Sequence, residues 1–309
     1  MRRKAFILLP ISLFFIFVFI AARSVRSEEG YVGSETCKGC HEARYNDFVK
    51  AIHGKKAIRY NPANQEGCES CHGPGAEHAE KGGGKGVAIF AFGKKESSSS
   101  KDSKCLGCHE DMKGVVNWNM SIHKTAGISC VQCHSIHMAK VEKDLLTEKE
   151  PSLCFNCHRN IRAQFNKQSH HPVQEEFVGR QAVRCSSCHN PMGTPNIKAM
   201  ITADSVNDLC YKCHAEKRGP YAFEHPPVPE NCLICHEIHG SNHGKLLVRK
   251  VPYLCSSCHS TEGHPTRPYN NLHGFGGPAT QAKNRFFARS CLNCHGNIHG
   301  SSLSPGFNR

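Results

Sequence analysis

Every one of the twenty cysteines in this 309-residue chain falls in a C-x-x-C-H unit. Ten such units run from CKGCH (37–41) through CESCH, CLGCH, CVQCH, CFNCH, CSSCH, CYKCH, CLICH and CSSCH to CLNCH (291–295). Their thiols are Cys37 and Cys40, Cys68 and Cys71, Cys105 and Cys108, Cys130 and Cys133, and Cys154 and Cys157, followed by Cys185 and Cys188, Cys210 and Cys213, Cys232 and Cys235, Cys255 and Cys258, and Cys291 and Cys294. Two thiols three residues apart lie on one side of a helical turn. There they can add across the two vinyl groups of a porphyrin while the next residue, histidine, binds the iron: the c-type haem attachment signature. The iron-binding rings would be His41, His72, His109, His134, His158, His189, His214, His236, His259 and His295. Zinc ribbons also use C-x-x-C pairs but need no histidine directly after the second cysteine, and a disulfide framework leaves those histidines unexplained. The expected cofactors are therefore ten covalently attached c-type haems, with no cysteine left for a structural disulfide.

A second set of ligands follows the motifs in alternation. After odd-numbered motifs a longer, helical-looking stretch ends in histidine: His53, His123, His170 or His171, His225, and His264 or His273. After even-numbered motifs a shorter step reaches His78, His137, Met192, His239 and His299. Two motifs and two trailing residues make one unit, and five units fill the chain, a tandem array. A histidine three residues after the motif's own cannot reach round the same porphyrin to its opposite face. His137, His239 and His299 are expected to serve a neighbouring haem. With His243, twelve histidines lie outside the motifs, enough to give every iron a second nitrogen. CSSCHNPM breaks the pattern at Met192, where either of two readings holds. The thioether is an iron ligand, which raises that haem's potential, or it packs against a porphyrin and a spare histidine takes the site.

The elements that must carry these ligands are small. The first 27 residues look like an export signal, with the basic MRRK and the apolar AFILLPISLFFIFVFIAA, although Arg23 and Arg26 just beyond it would also suit a retained anchor. Export is what haem attachment outside the cytoplasmic membrane requires. The remaining 282 residues supply about 28 per haem, too few for a large side-chain core as well. The expected fold is a multihaem cytochrome c: mostly irregular chain with short α-helices wrapped round a haem core, little β, drawn out as an elongated haem wire. Neither a sustained alternating strand pattern nor a long amphipathic helix is present. GGGKG (82–86) and ESSSS (96–100) read as flexible linker. The net charge of +13 falls to +8 without residues 1–27, which hold five of the 39 basic residues and no acid. Roughly twenty haem propionates account for such a balance, so no nucleic-acid partner is expected.

CHGPGAEH, SHHPV, CYKCHAEKRGP, EHPPV, CHEIHGSNHGKLL and CSSCHSTEGHP occur in that order and span nearly all of the exported chain. In them the sequence resembles the periplasmic decahaem cytochromes of the MtrA/DmsE type, from which it departs at Met192, where that group has histidine. The resemblance implies two pentahaem halves, here 28–178 and 179–309, and a continuous series of ten haems that carries electrons without being an enzyme. It also implies a periplasmic protein associated with the outer membrane. Its expected partners are an outer-membrane β-barrel porin, an outer-surface multihaem cytochrome or terminal reductase, and a periplasmic or inner-membrane cytochrome donor. Two rival readings stand beside this one. A multihaem reductase needs an open iron, often marked by a substituted motif, and all ten motifs here end in histidine. A subunit of an extracellular haem filament could use the surplus histidines across subunit boundaries.

Overall fold

The computed structural model describes residues 30–173, 183–195, 201–260 and 291–308. The expected leader (1–27), the boundary between the two expected halves at 178/179, His264 and His273 lie outside these residues.

Short helices dominate. In chain order they are α1 (Ser34–Lys50), α2 (Glu69–His72), α3 (Ala76–Glu80), α4 (Ser98–His109), α5 (Ile122–Thr125), α6 (Ser152–Phe155), α7 (Arg159–Phe165), α8 (Cys185–Cys188), α9 (Val206–Tyr211) and α10 (Pro227–Glu230). Single 3₁₀ turns at Cys130–Gln132, Cys232–Ile234, Cys255–Ser257 and Cys291–Asn293 carry the remaining motifs. Each motif thus sits on a helical turn, as the cysteine spacing requires. The longest helix, α1, bends at its own motif histidine, where His41 has φ −118° and ψ 41°. Among the described residues there is no strand, only six isolated bridges, and no helix there is long and apolar enough to cross a membrane.

The side-chain core is correspondingly thin. Phe48, Trp118, Leu145, Val173 and Ile201 are the buried apolar residues of the described chain, fewer than the buried polar ones. A fold of this length normally buries a contiguous apolar core, so its cohesion must come from elsewhere.

Part of it comes from polar clamps that the motif pattern did not reveal. In three of the five odd motifs the residue three before the first cysteine accepts the backbone N–H of the first cysteine of the next motif. Ser34 Oγ takes Cys68 N at 3.0 Å, Asp102 Oδ1 takes Cys130 N at 2.9 Å, and Asn207 Oδ1 takes Cys232 N at 2.8 Å. Asp102, fully buried, also accepts from Trp118 Nε1 at 3.0 Å and Lys124 Nζ at 3.1 Å. Glu69 does similar work in the first unit, accepting from Val32 N, Gly33 N and Gly75 N. In the third unit Glu150 accepts both the amide and the hydroxyl of Ser186. Buried carboxylates and amides are stable only when so satisfied, and here the partners are the motif backbones themselves. Lining up the odd motifs on their first cysteine exposes the signal: SETC, DSKC and NDLC.

Two expected linkers are structured instead. Ser97 caps α4, its side chain accepting from Ser100 N at 3.0 Å, so the serine run starts a helix. The glycine-rich loop turns through left-handed backbone at Gly82, Gly83, Gly84 and Gly86, which glycine adopts without steric cost. It folds back so that the Phe90 and Val87 carbonyls each meet a histidine Nδ1, those of His72 and His78, both at 2.8 Å.

Candidate haem ligand array

The motif cysteines lie next to one another in sequence order. Within each unit the first thiols lie close enough to interact: Cys37 with Cys68, Cys105 with Cys130, Cys154 with Cys185, Cys210 with Cys232 and Cys255 with Cys291. Between units the second thiols interact electrostatically: Cys71 with Cys105 and Cys108, and Cys133, Cys188 and Cys235 with Cys157, Cys213 and Cys258. All nine successive motif pairs are therefore neighbours. These thiols are the atoms that become thioethers on haem attachment. In the bare chain the Cys37 thiol holds Cys68 down at about 6, while burial pushes Cys71 up to about 11. Glu150, Cys154 and Cys185 bring donor atoms within 4.8 Å of one another. Two of these three are motif thiols, so the cluster is the junction of motifs five and six.

The histidine rings come in pairs, three stacked, two tilted and two edge-on. His41 faces His78 at 6.2 Å between ring centres, His72 faces His137 at 6.3 Å, and His109 faces His53 at 5.8 Å. Further along, His158 faces His123 at 5.9 Å, His189 faces His239 at 6.1 Å, His259 faces His225 at 5.9 Å, and His236 faces His299 at 6.2 Å. Each pair joins one motif histidine to one trailing histidine. An octahedral metal with imidazole nitrogens at about 2 Å on opposite sides sets the two ring centres roughly 6 Å apart. The donor set therefore fits haem iron, with two thiols per motif to anchor the macrocycle.

The pairing has a direction. Trailing histidines after odd motifs reach forward two motifs: His53 to the third, His123 to the fifth, His225 to the ninth. Those after even motifs reach back two: His137 to the second, His239 to the sixth, His299 to the eighth. Among the described residues His78 alone pairs inside its own unit. None of the seven faces the histidine of the motif it follows.

Second partners fix the rings. A histidine whose Nδ1 donates to a carbonyl presents Nε2 to a metal. Such bonds join His72 to Phe90 O, His134 to Asp144 O at 2.6 Å, His236 to Lys245 O at 2.9 Å and His295 to Gly306 O at 2.5 Å. Asp144 and Lys245 occupy the same left-handed corner of two like loops, with φ 62° and 59°. Burial lowers the pKa of His53, His137, His225, His236, His239 and His299, favouring the neutral ring that can bind a metal. His53 Nδ1 is buried with no hydrogen-bond partner.

Four of the expected distal candidates, and His214 among the motif histidines, stand outside the ring pairs. His170 is exposed and its Nδ1 meets the His171 carbonyl, whereas the His171 ring turns inward to the Ile238 carbonyl at 2.8 Å. His243 is tied through its amide to Ser241 Oγ. Met192, half-buried, has its amide bonded to Asn190 Oδ1 at 3.1 Å. His214 lies beside Glu216, 3.9 Å away.

Comparison with known proteins agrees with this array. Residues 170–219 and 225–264 match the doubled CXXCH motif family, and residues 68–157 match the family described as cytochrome c-type protein NrfB-like. The chain is 38% identical to the multiheme cytochrome MtrA of Shewanella baltica, over 89% of this chain and 80% of that protein. It is 24% identical to the C-type polyheme cytochrome OmcB of Geobacter sulfurreducens, over 89% of this chain but only 37% of that protein. Paired motifs, facing rings and this likeness along nearly the whole chain lead to one conclusion: the chain belongs to the MtrA family of multihaem cytochromes, electron-transfer proteins with covalent c-type haems.

Proposed function

We propose that this chain carries ten haems, one on each motif, and passes electrons through them in sequence order between periplasmic donors and the outside of the outer membrane. The observation that carries the reading is the unbroken adjacency of successive motif thiols, all nine steps of it. Haem supplies one-electron redox chemistry. Each motif's two thiols would anchor a macrocycle, and the motif and trailing side chains would hold its iron from both sides, leaving substrate no iron to bind. The chain also spaces each centre against the next. Ligand saturation of this kind suits electron transfer and not turnover.

The working context we infer is periplasmic, with the chain seated in an outer-membrane β-barrel porin. A periplasmic or inner-membrane cytochrome would feed it, and an outer-surface multihaem cytochrome or terminal reductase would take the electrons. The likeness to MtrA supports that context, and residues 1–27 would direct export. The chain's two pentahaem halves would meet at 178/179.

Two measurements test this. Mass spectrometry of the purified protein should give the mass of the exported chain plus ten haems; a smaller increment overturns the count. The protein is then reconstituted with its barrel in vesicles holding reductant, with an impermeant ferric acceptor outside. Acceptor reduction should require both proteins. Reduction that proceeds without this chain, or fails with a fully haem-loaded one, overturns the conduit role.

A further inference from the structure

Three stretches of the chain are built alike, and one of them contains Met192. In each, a short trailing residue is followed by glycine and a small hydroxyl residue: Met192-Gly193-Thr194, His239-Gly240-Ser241 and His299-Gly300-Ser301. All three glycines and all three hydroxyl residues are buried. A Cβ on any of these glycines would collide with the crossing segment: on Gly193 it would lie 2.4 Å from Asn117 O, on Gly240 2.0 Å from Gln164 O, and on Gly300 2.1 Å from the Tyr221 ring.

The crossing segment is the same element each time, the stretch leading to the long trailing histidine of the motif three places earlier. Ser169 exchanges two backbone hydrogen bonds with Ser241, and Phe223 does so with Ser301. Two residues further on, that histidine's ring meets the carbonyl just before the short trailing residue. His171 meets Ile238 O, His225 meets Ile298 O, and His123 meets Pro191 O at 2.9 Å. The Met192 crossing is thus the Met counterpart of the His239 and His299 crossings.

The motif loops agree. His134, His189 and His236 each bridge to the returning chain, at Leu146, Ile201 and Leu247. In each, the residue after that bridge donates its amide to the second motif cysteine, Cys133, Cys188 or Cys235. Motifs four, six and eight are therefore one repeated element in one orientation.

In that frame the destination of the short trailing residue is fixed. His137 after motif four faces His72 of motif two, His239 after motif eight faces His189 of motif six, and His299 after motif ten faces His236 of motif eight. The residue after motif six must face motif four, whose His134 has no histidine ring opposite it among the described residues. The His134 ring is already fixed, its Nδ1 on Asp144 O, with Nε2 left for a metal. The spare histidines belong elsewhere. His170 and His243 lie at the motif-eight crossing, beside His171 and Ser241.

We propose that Met192 is the axial partner of His134, so that the haem on Cys130 and Cys133 is a His/Met centre inside an otherwise bis-histidine series. The proposal rests on the reading that each motif carries a haem. It moves the thioether away from the motif it follows: the unusual centre is the fourth haem, not the sixth. A thioether favours ferrous iron, so this centre holds an electron more firmly than its neighbours and forms a well within the first half of the series.

The test is near-infrared magnetic circular dichroism and EPR of the oxidised, haem-loaded protein, with an electron cryo-microscopy map of the same sample. One thioether-bound low-spin haem is expected in the native protein. In Met192→His it should be replaced by one more bis-histidine haem, with the highest midpoint of the redox titration falling into the range of the rest. The map should set Met192 Sδ on the iron of the Cys130/Cys133 haem. Native spectra that are bis-histidine throughout and unchanged in Met192→His overturn the proposal, as does a sulfur on the iron of the Cys185/Cys188 haem. A haem count below ten would instead strike the decahaem reading, and vesicle transport bears on neither ligand.

Discussion

The first unit and the interior units solve the same problem in opposite ways. In the first, His41 faces His78 of the very next motif's loop, and that loop folds back on His72 through Phe90. One of its two motif histidines is thus paired inside the unit, while His72 takes its ring from His137, two motifs on. In the interior, each facing ring comes from two motifs away, as His239 does to His189 and His225 to His259. The first motif has no motif two places before it in this chain, so the partner of His41 is found locally. Interior units can exchange theirs, and each exchange sews one unit to the next. Terminal repeats of tandem arrays are atypical for the same reason.

The sharpest way to break this contrast is to remove one facing ring of each kind. His239→Ala is expected to leave one haem five-coordinate and to loosen two units together, because the same crossing carries Ile238 O to His171. His78→Ala should also leave one haem five-coordinate but loosen only the first unit. EPR counts the high-spin haems, and hydrogen exchange maps which backbone amides lose protection. Equal spread of lost protection in the two variants would remove the distinction.

A smaller effect compares the clamps. Asp102→Ala strips three donors of a fully buried acceptor and should cost about 3 kcal/mol. Ser34→Ala, at the matching place in the first unit, removes one half-buried bond and should cost about 1 kcal/mol. Denaturant unfolding of the haem-loaded proteins measures both; a cost for Ser34→Ala equal to that for Asp102→Ala would mean that burial does not set the clamp's strength. Smallest is Ser97→Ala, which deletes the α4 cap at the joint between the first unit and the interior and should cost about 1 kcal/mol or less. Its lost protection should stay within the first turn of α4.

Several expectations met their physical reasons in the structure. The serine run read as linker, but a serine before a helical stretch competes for the free amides of the first turn and so starts a helix. The glycine loop read as linker too, yet its left-handed turns serve to bring two carbonyls onto two histidines. The clamps at Ser34, Asp102 and Asn207 went unread because polar residues are common near helix starts. Only the folded chain reveals that their acceptor atoms reach the following motif.

By itself, the sequence determined the number of motifs, the two ligand series that trail them, the anomaly at Met192 and the short-helix character of the fold. All of these follow from local spacing: three residues set a helical turn, and three or four residues are too few to round a porphyrin. The tertiary structure alone decided which ring faces which. That choice depends on where segments cross, at buried glycines such as Gly193 and Gly240 that let two backbones approach and at bridges such as Ser169 with Ser241. Partners two motifs apart are brought together by those crossings, and no spacing along the chain encodes them.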